Sequence, residues 1–146
     1  MPSDLDKTMP RSAAPGVTWQ SSPLRGRILL AEDGRDNQRL LSTLLCDHGT
    51  EVVIAENGQI AVDLAAKEAF DLILMDMQMP VMDGYTAATL LRRRGCATAI
   101  VALTAHALDE DRKKCMASGC TEYLRKPVDR DFLLKTVSRY LGEPPQ

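Results

Sequence analysis

The sequence predicts a doubly wound α/β domain, a five-stranded parallel sheet wrapped by five helices, and three observations predict it. Five short runs rich in Ile, Leu and Val recur along the chain, each bounded by polar or turn residues: RILLAED, TEVVIAEN, DLILMD, AIVALTA and TEYLRKP. Segments of helical period fill the gaps between them. The runs also end in reactive side chains, at the edge where open α/β sheets hold their ligands.

Residues 1–25 precede this pattern. They belong to MPSDLDKTMPRSAAPGVTWQSSPLRG, which carries four prolines, repeated Ser and Ala, and no apolar period. Such a composition buries too little surface to offset its ordering entropy, so it is read as a disordered leader or interdomain linker. Trp19, its one large apolar residue, is read as exposed. The domain itself is assigned to 26–142, and 143–146 to a C-terminal tail.

Within the domain the elements follow in order. The run from Arg27 leads to a helix in which Leu40, Leu41, Leu44, Leu45 and His48 recur at helical spacing, closed by Gly49. The second run leads to a helix from Gln59 to Glu68 with Ala61, Leu64 and Ala65 on one face. The third leads to Tyr85–Arg94, ending at Gly95, and the fourth to Leu108–Ser118, ending at Gly119. After the fifth, Asp129 opens a helix to about Leu141, with Leu133, Val137 and Tyr140 in line. Each apolar run is short and dense enough to be a strand buried on both faces.

Bulk properties narrow the function. The chain has 146 residues, one domain's worth, with 45% apolar, 26% charged and only 4% aromatic residues. A formal net charge of −2 gives no reason to expect nucleic acid or direct membrane contact. Arg92, Arg93 and Arg94 are read as helix-end cations facing solvent. Cys46, Cys96, Cys115 and Cys120 form no CxxC, and His48 and His106 complete no zinc pattern, so free thiols in a reducing compartment are expected. No stretch approaches the roughly 20 apolar residues of a membrane span. A cytoplasmic location is expected.

The strand ends carry the chemistry. The first run ends in Glu32 and Asp33, the third in Asp76, the fourth in Thr104, and the fifth in Lys126 and Pro127. Acids often cap helices and a lone lysine is usually solvated, but five such groups converging from four strands point to a site. Clustered carboxylates raise one another's pKa unless a cation lies between them, and Mg²⁺ prefers carboxylate oxygens and water. A magnesium held by Asp33 and Asp76, with Glu32 positioning waters, leaves room for a phosphoryl group. Asp76 then serves as a carboxylate nucleophile, with the Lys126 ammonium and the Thr104 hydroxyl stabilising charge on the phosphoryl oxygens.

With RILLAED, LILMDMQMPVMDGY, IVALTAH and YLRKP in register, the chain from about Arg27 to Leu141 resembles the receiver domains of two-component response regulators. The resemblance implies the flavodoxin-like strand order 2-1-3-4-5. It implies Asp76 as phosphoacceptor, Lys126 and Thr104 as catalytic partners, and Mg²⁺ as cofactor. Glu32, Asp33, Asp76 and the backbone carbonyl of Gln78 are the implied metal site. Pro127 is expected after a cis peptide bond. Thr104 and Tyr123 are the implied switch, acting on a protein-binding face of the fourth helix, fifth strand and fifth helix. His106 and Gln78, each two residues past a site residue, are expected to tune dephosphorylation.

The implied function is that of a phosphoacceptor in a phosphorelay, not an enzyme on a separate substrate, although it promotes its own phosphorylation and dephosphorylation. The implied partners are a histidine kinase or histidine phosphotransfer protein and a downstream target protein. MDMQMPVMDG, ALTAHA and GCTEYL are similar to receivers fused to hybrid histidine kinases; Met1 leaves a free-standing protein open. Only GEPPQ follows the last helix, so output is expected through protein contact or a domain outside this sequence. Three rival readings fit the residues less well. A flavodoxin needs a hydroxyl- and glycine-rich phosphate loop where EDGRDN stands. A haloacid-dehalogenase-type phosphatase needs an acid at position 78, which is Gln. A receiver-fold protein-binding module without phosphotransfer is at odds with intact Asp76, Thr104 and Lys126.

Overall fold

A computed structural model describes residues 25–106 and 108–141; the leader up to residue 24, with Trp19, and the tail 143–146 lie outside the described residues. The elements are β1 (Arg27–Ala31), α1 (Arg35–Asp47), β2 (Glu51–Ala55), α2 (Gly58–Lys67), β3 (Leu72–Asp76), α3 (Gly84–Arg93), β4 (Ile100–Thr104), α4 (Asp109–Ala117), β5 (Glu122–Arg125) and α5 (Arg130–Tyr140). The strands pair in parallel in the order β2-β1-β3-β4-β5. This is the doubly wound, flavodoxin-like arrangement that the sequence implies.

Strand alternation sorts the core into two layers. Leu29, Ile73, Met75 and Ala102 face one way, onto Ala61 and Val62 of α2, Ala87, Ala88 and Leu91 of α3, and Cys115 of α4. Ile28, Leu30, Leu74, Val101 and Leu103 face the other, onto Leu41 and Leu45 of α1 and Leu133 and Val137 of α5. All five residues of β3 and of β4 are buried, as strands covered on both faces must be. Truncating one of these side chains, Leu74 for instance, would cost about 2–5 kcal/mol. The sequence expectation of two-faced burial fails for β2 and β5. These are the sheet edges, where Glu51 and Ile54, and Arg125, stay exposed.

Helix starts follow local capping chemistry. The side chains of Asn57, Asp83 and Asp129 accept hydrogen bonds from Ile60 N, Thr86 N and Phe132 N at 2.8–2.9 Å, using backbone donors that a first turn leaves unpaired. At the end of α1, His48 Nδ1 lies 2.9 Å from Leu44 O, in keeping with its reading as a helix-end residue. Arg93 and Arg94 face solvent, but Arg92 does not. Its Nε donates to Gly119 O (2.9 Å) and its Nη1 to Cys96 O and Thr98 O (2.7 Å each). The end of α3 abuts the turns entering β4 and β5, where carbonyls lack strand partners, and Arg92 satisfies them.

Candidate functional site

The site lies at the carboxyl edge of the sheet, between β1, β3 and β5. Glu32 continues β1, its N–H donating to Ala55 O at 3.0 Å, and the residue is only 1% exposed. Glu32 Oε2 accepts from Gly34 N at 3.0 Å, and Gln38 Nε2 donates to Glu32 O at 2.7 Å. The first turn of α1 thereby holds the acid inward. Asp33 is exposed at the rim.

Asp76 closes β3 and is 2% exposed. Its Oδ1 accepts from Gln78 N at 3.0 Å and its Oδ2 from Lys126 Nζ at 2.9 Å. The chain then turns sharply into α3, with Gly84 N donating to Met77 O at 3.1 Å. A side chain at position 84 would place its Cβ 2.4 Å from Asp76 O, so only glycine lets α3 start this close to the strand. The loop is strained at Val81, where φ is 70° and Met82 N donates to Pro80 O at 2.7 Å, closing a three-residue turn. A β-branched residue rarely adopts that conformation.

Lys126 follows β5, its N–H donating to Thr104 O at 2.7 Å, and the Lys126–Pro127 peptide is cis as expected. Its Nζ also stands 3.1 Å from Glu32 Oε1. That approach meets an ion-pair distance without hydrogen-bond alignment, so among the described residues the buried Oε1 has no hydrogen-bond partner. Burial alone would lower the Lys126 pKa, but Asp76 and then Glu32 outweigh it and hold the ammonium above its ordinary value.

One ligand atom each from Glu32, Asp33 and Asp76 lies within 4.8 Å of the others. Among the described residues a single ammonium serves this trio, and one buried oxygen lacks a partner. A hard divalent cation suits such a donor set. An open depression of about 460 Å³ covers the approach, lined by Asp33, Met77, Gln78, Met79, Pro80, Asp83, Tyr85 and Lys114. A more voluminous apolar cleft of about 610 Å³ runs along α1 and the start of α5, away from these groups, so volume does not mark the chemistry here.

Most of the candidate residues meet. Glu32, Asp33, Asp76 and Lys126 form one cluster. Thr104 sits at the adjacent strand end, one residue past the Asp76–Leu103 register pair. Its hydroxyl is engaged locally, accepting from His106 N (3.0 Å) and donating to His106 O (3.1 Å). Tyr123 is half-buried in β5, paired in register with Ala102. Gln78 presents its N–H, not its carbonyl, to Asp76. Sequence reasoning missed the Gly34 and Gln38 contacts on Glu32, and it missed Tyr85 and Lys114 at the mouth, because each depends on how the loops fold back.

Comparison with known proteins agrees with this geometry. A family model described as the response regulator receiver domain matches residues 28–138. The sensor protein GacS of Pseudomonas syringae pv. syringae is 39% identical over 138 residues, covering 91% of this chain; the match spans 15% of that protein's length. The receiver domain of sensor histidine kinase PA1611 from Pseudomonas aeruginosa, solved with a magnesium ion in its active site cleft, is 38% identical with a TM-score of 0.74, covering 79% of this chain and 96% of that one. The receiver domain of Ssk1 from Saccharomyces cerevisiae, solved with the histidine phosphotransfer protein Ypd1, is 33% identical with a TM-score of 0.75, covering 80% and 89%.

Proposed function

We propose, from the premise that this chain belongs to the response regulator receiver domains, that it accepts a phosphoryl group on Asp76 from a phosphohistidine and relays it as a signal. The observation that carries this reading is Asp76 itself: a carboxylate almost fully buried, paired with Lys126, within 4.8 Å of two further acids. In the transfer, an Asp76 oxygen forms a bond to phosphorus as the bond from phosphorus to the histidine nitrogen breaks, and the electron pair leaves with the imidazole. Lys126, already at Asp76, meets the incoming phosphoryl oxygens with positive charge. The Gln78 N–H holds the carboxylate in place.

Asp33, Asp76 and the Gln78 carbonyl would hold Mg²⁺, with Glu32 orienting its waters. When bound, the metal supplies charge neutralisation on the phosphoryl oxygens. Thr104 gives up its hydrogen bonds to His106 to reach the phosphoryl group, and that movement reorients Tyr123 and the face made by α4, β5 and α5. A kinase or phosphotransfer domain is the donor, and a downstream protein reads the face. The similarity to GacS supports a receiver that works within a hybrid histidine kinase, in the cytoplasm.

Intact-protein mass spectrometry tests the core of this reading. The chain is incubated with Mg²⁺ and acetyl phosphate beside Asp76→Asn and beside an EDTA control. A phosphoryl-sized gain in the wild type with Mg²⁺ alone is expected. A gain that persists in Asp76→Asn would move the acceptor elsewhere.

A further inference from the structure

Helix α4 is weakly seated. Of its nine residues, DEDRKKCMA, only Cys115 is buried, whereas α3 buries Gly84, Ala87, Ala88 and Leu91. Its sequence offers no apolar stripe to hold it on the sheet, and its first turn carries Asp109, Glu110 and Asp111. Something beyond core packing must fix its position.

Besides β5 and the core around Cys115, Tyr85 meets it. Lys114 Nζ lies 4.2 Å from the centroid of the Tyr85 ring, within range for attraction between a cation and an aromatic face. Beside it Cys115 approaches the phenol, and burial together with that thiol pushes the Tyr85 pKa up to about 12. Tyr85 is also the second residue of α3, adjacent to Gly84, which starts the helix so close to β3 that an added Cβ would fall 2.4 Å from Asp76 O. The α4 contact is therefore one residue removed from the glycine that packs beside the acceptor's carbonyl. Tyr85 and Lys114 share the mouth depression with Asp33 and Gln78.

We propose that Tyr85 is a latch that holds α4 in the resting position through Lys114 and Cys115, and that releasing it favours the phosphoryl-bound conformation. This rests on the switching reading above. A contact present in one state only biases the equilibrium by its own strength, and here that is about two- to fivefold. Loosening the latch raises the fraction of chains competent to hold the phosphoryl group, and apparent affinity rises with that fraction.

Lys114→Met keeps the aliphatic stem and removes the cation at a solvent-facing position, so folding is retained; Tyr85→Leu is the companion variant and Lys114→Arg the rescue. Hydrogen exchange of 109–117 in the unphosphorylated protein reads the latch without any phosphotransfer. Affinity for beryllofluoride with Mg²⁺ reads its coupling to the site. Lys114→Met is expected to exchange about two- to fivefold faster across α4, with β3 and β4 unchanged, and to bind beryllofluoride tighter by a similar factor; Lys114→Arg restores both. Unchanged α4 exchange in Lys114→Met overturns the latch. Faster exchange with unchanged beryllofluoride affinity overturns its coupling to the site. If the wild type binds no beryllofluoride, the phosphoacceptor reading fails instead, and the exchange arm still decides the latch.

Discussion

Lys126 Nζ stands 2.9 Å from Asp76 Oδ2 and 3.1 Å from Glu32 Oε1, so one ammonium from the end of β5 closes on acids from the ends of β3 and β1. This ties three strands of the sheet together at their functional edge. It also sets how the site responds to pH, to metal and to substitution.

The pKa of Lys126 is raised in the fold, so its stabilising contribution is fully present below the ordinary lysine value of about 10.4 and is lost as pH rises through the raised one. Lys126→Met should therefore be less stable than wild type by about 1–3 kcal/mol at neutral pH without divalent cation. The gap should stay flat to about pH 10 and shrink above it. Urea unfolding at a series of pH values measures this. A gap that widens with alkalinity would contradict the assignment.

Three acids within 4.8 Å repel one another, and a bound divalent cation relieves that repulsion in the folded state alone. Mg²⁺ at ten times its Kd should add about 1.4 kcal/mol to the stability of the domain, a rise of roughly 3–6 °C in Tm. Asp33→Asn removes the exposed carboxylate of the trio without disturbing the buried pair, so most of the increment should vanish. Differential scanning fluorimetry with and without Mg²⁺ measures both.

Gly84→Ala sets a methyl carbon 2.4 Å from the carbonyl oxygen of Asp76 and 2.8 Å from Met77 Cα, and these backbone atoms have little room to yield. Destabilisation of about 1–3 kcal/mol is expected, as for other overpacked sites. Because the strained atom belongs to Asp76, acetyl phosphate labelling should slow more than it does in a surface control of equal instability.

Val81 is 81% exposed and sits at φ 70°, where its branched Cβ gains nothing from packing. Val81→Asn places there a residue that tolerates left-handed backbone. Tm should rise by about 2–6 °C. An unchanged or lowered Tm in thermal unfolding would mean that the isopropyl group makes a stabilising contact.

The runs RILLAED, DLILMD and IVALTA were legible as strands because central parallel strands are apolar on both faces, and β1, β3 and β4 occupy those places. TEVVIAEN and TEYLRKP were legible as strands but not as edges, since position in the sheet leaves little mark on a five-residue pattern. Helix ends agreed closely with the sequence because Asn57, Asp83 and Asp129 cap locally. Arg92 was misread as solvated because its carbonyl partners, Gly119 among them, lie up to 27 residues away.

The sequence by itself determined which side chains end the strands: Glu32, Asp33, Asp76, Thr104 and Lys126 are set by where each apolar run stops. Their approach to one another depends on strand order, and periodicity carries no strand order; only the resemblance supplied it. Tertiary structure alone decided that Lys126 reaches Glu32 as well as Asp76, that Thr104 rests on His106, and that α4 leans on Tyr85. Those contacts depend on loop paths and side-chain reach across several ångströms, which local sequence preference does not encode.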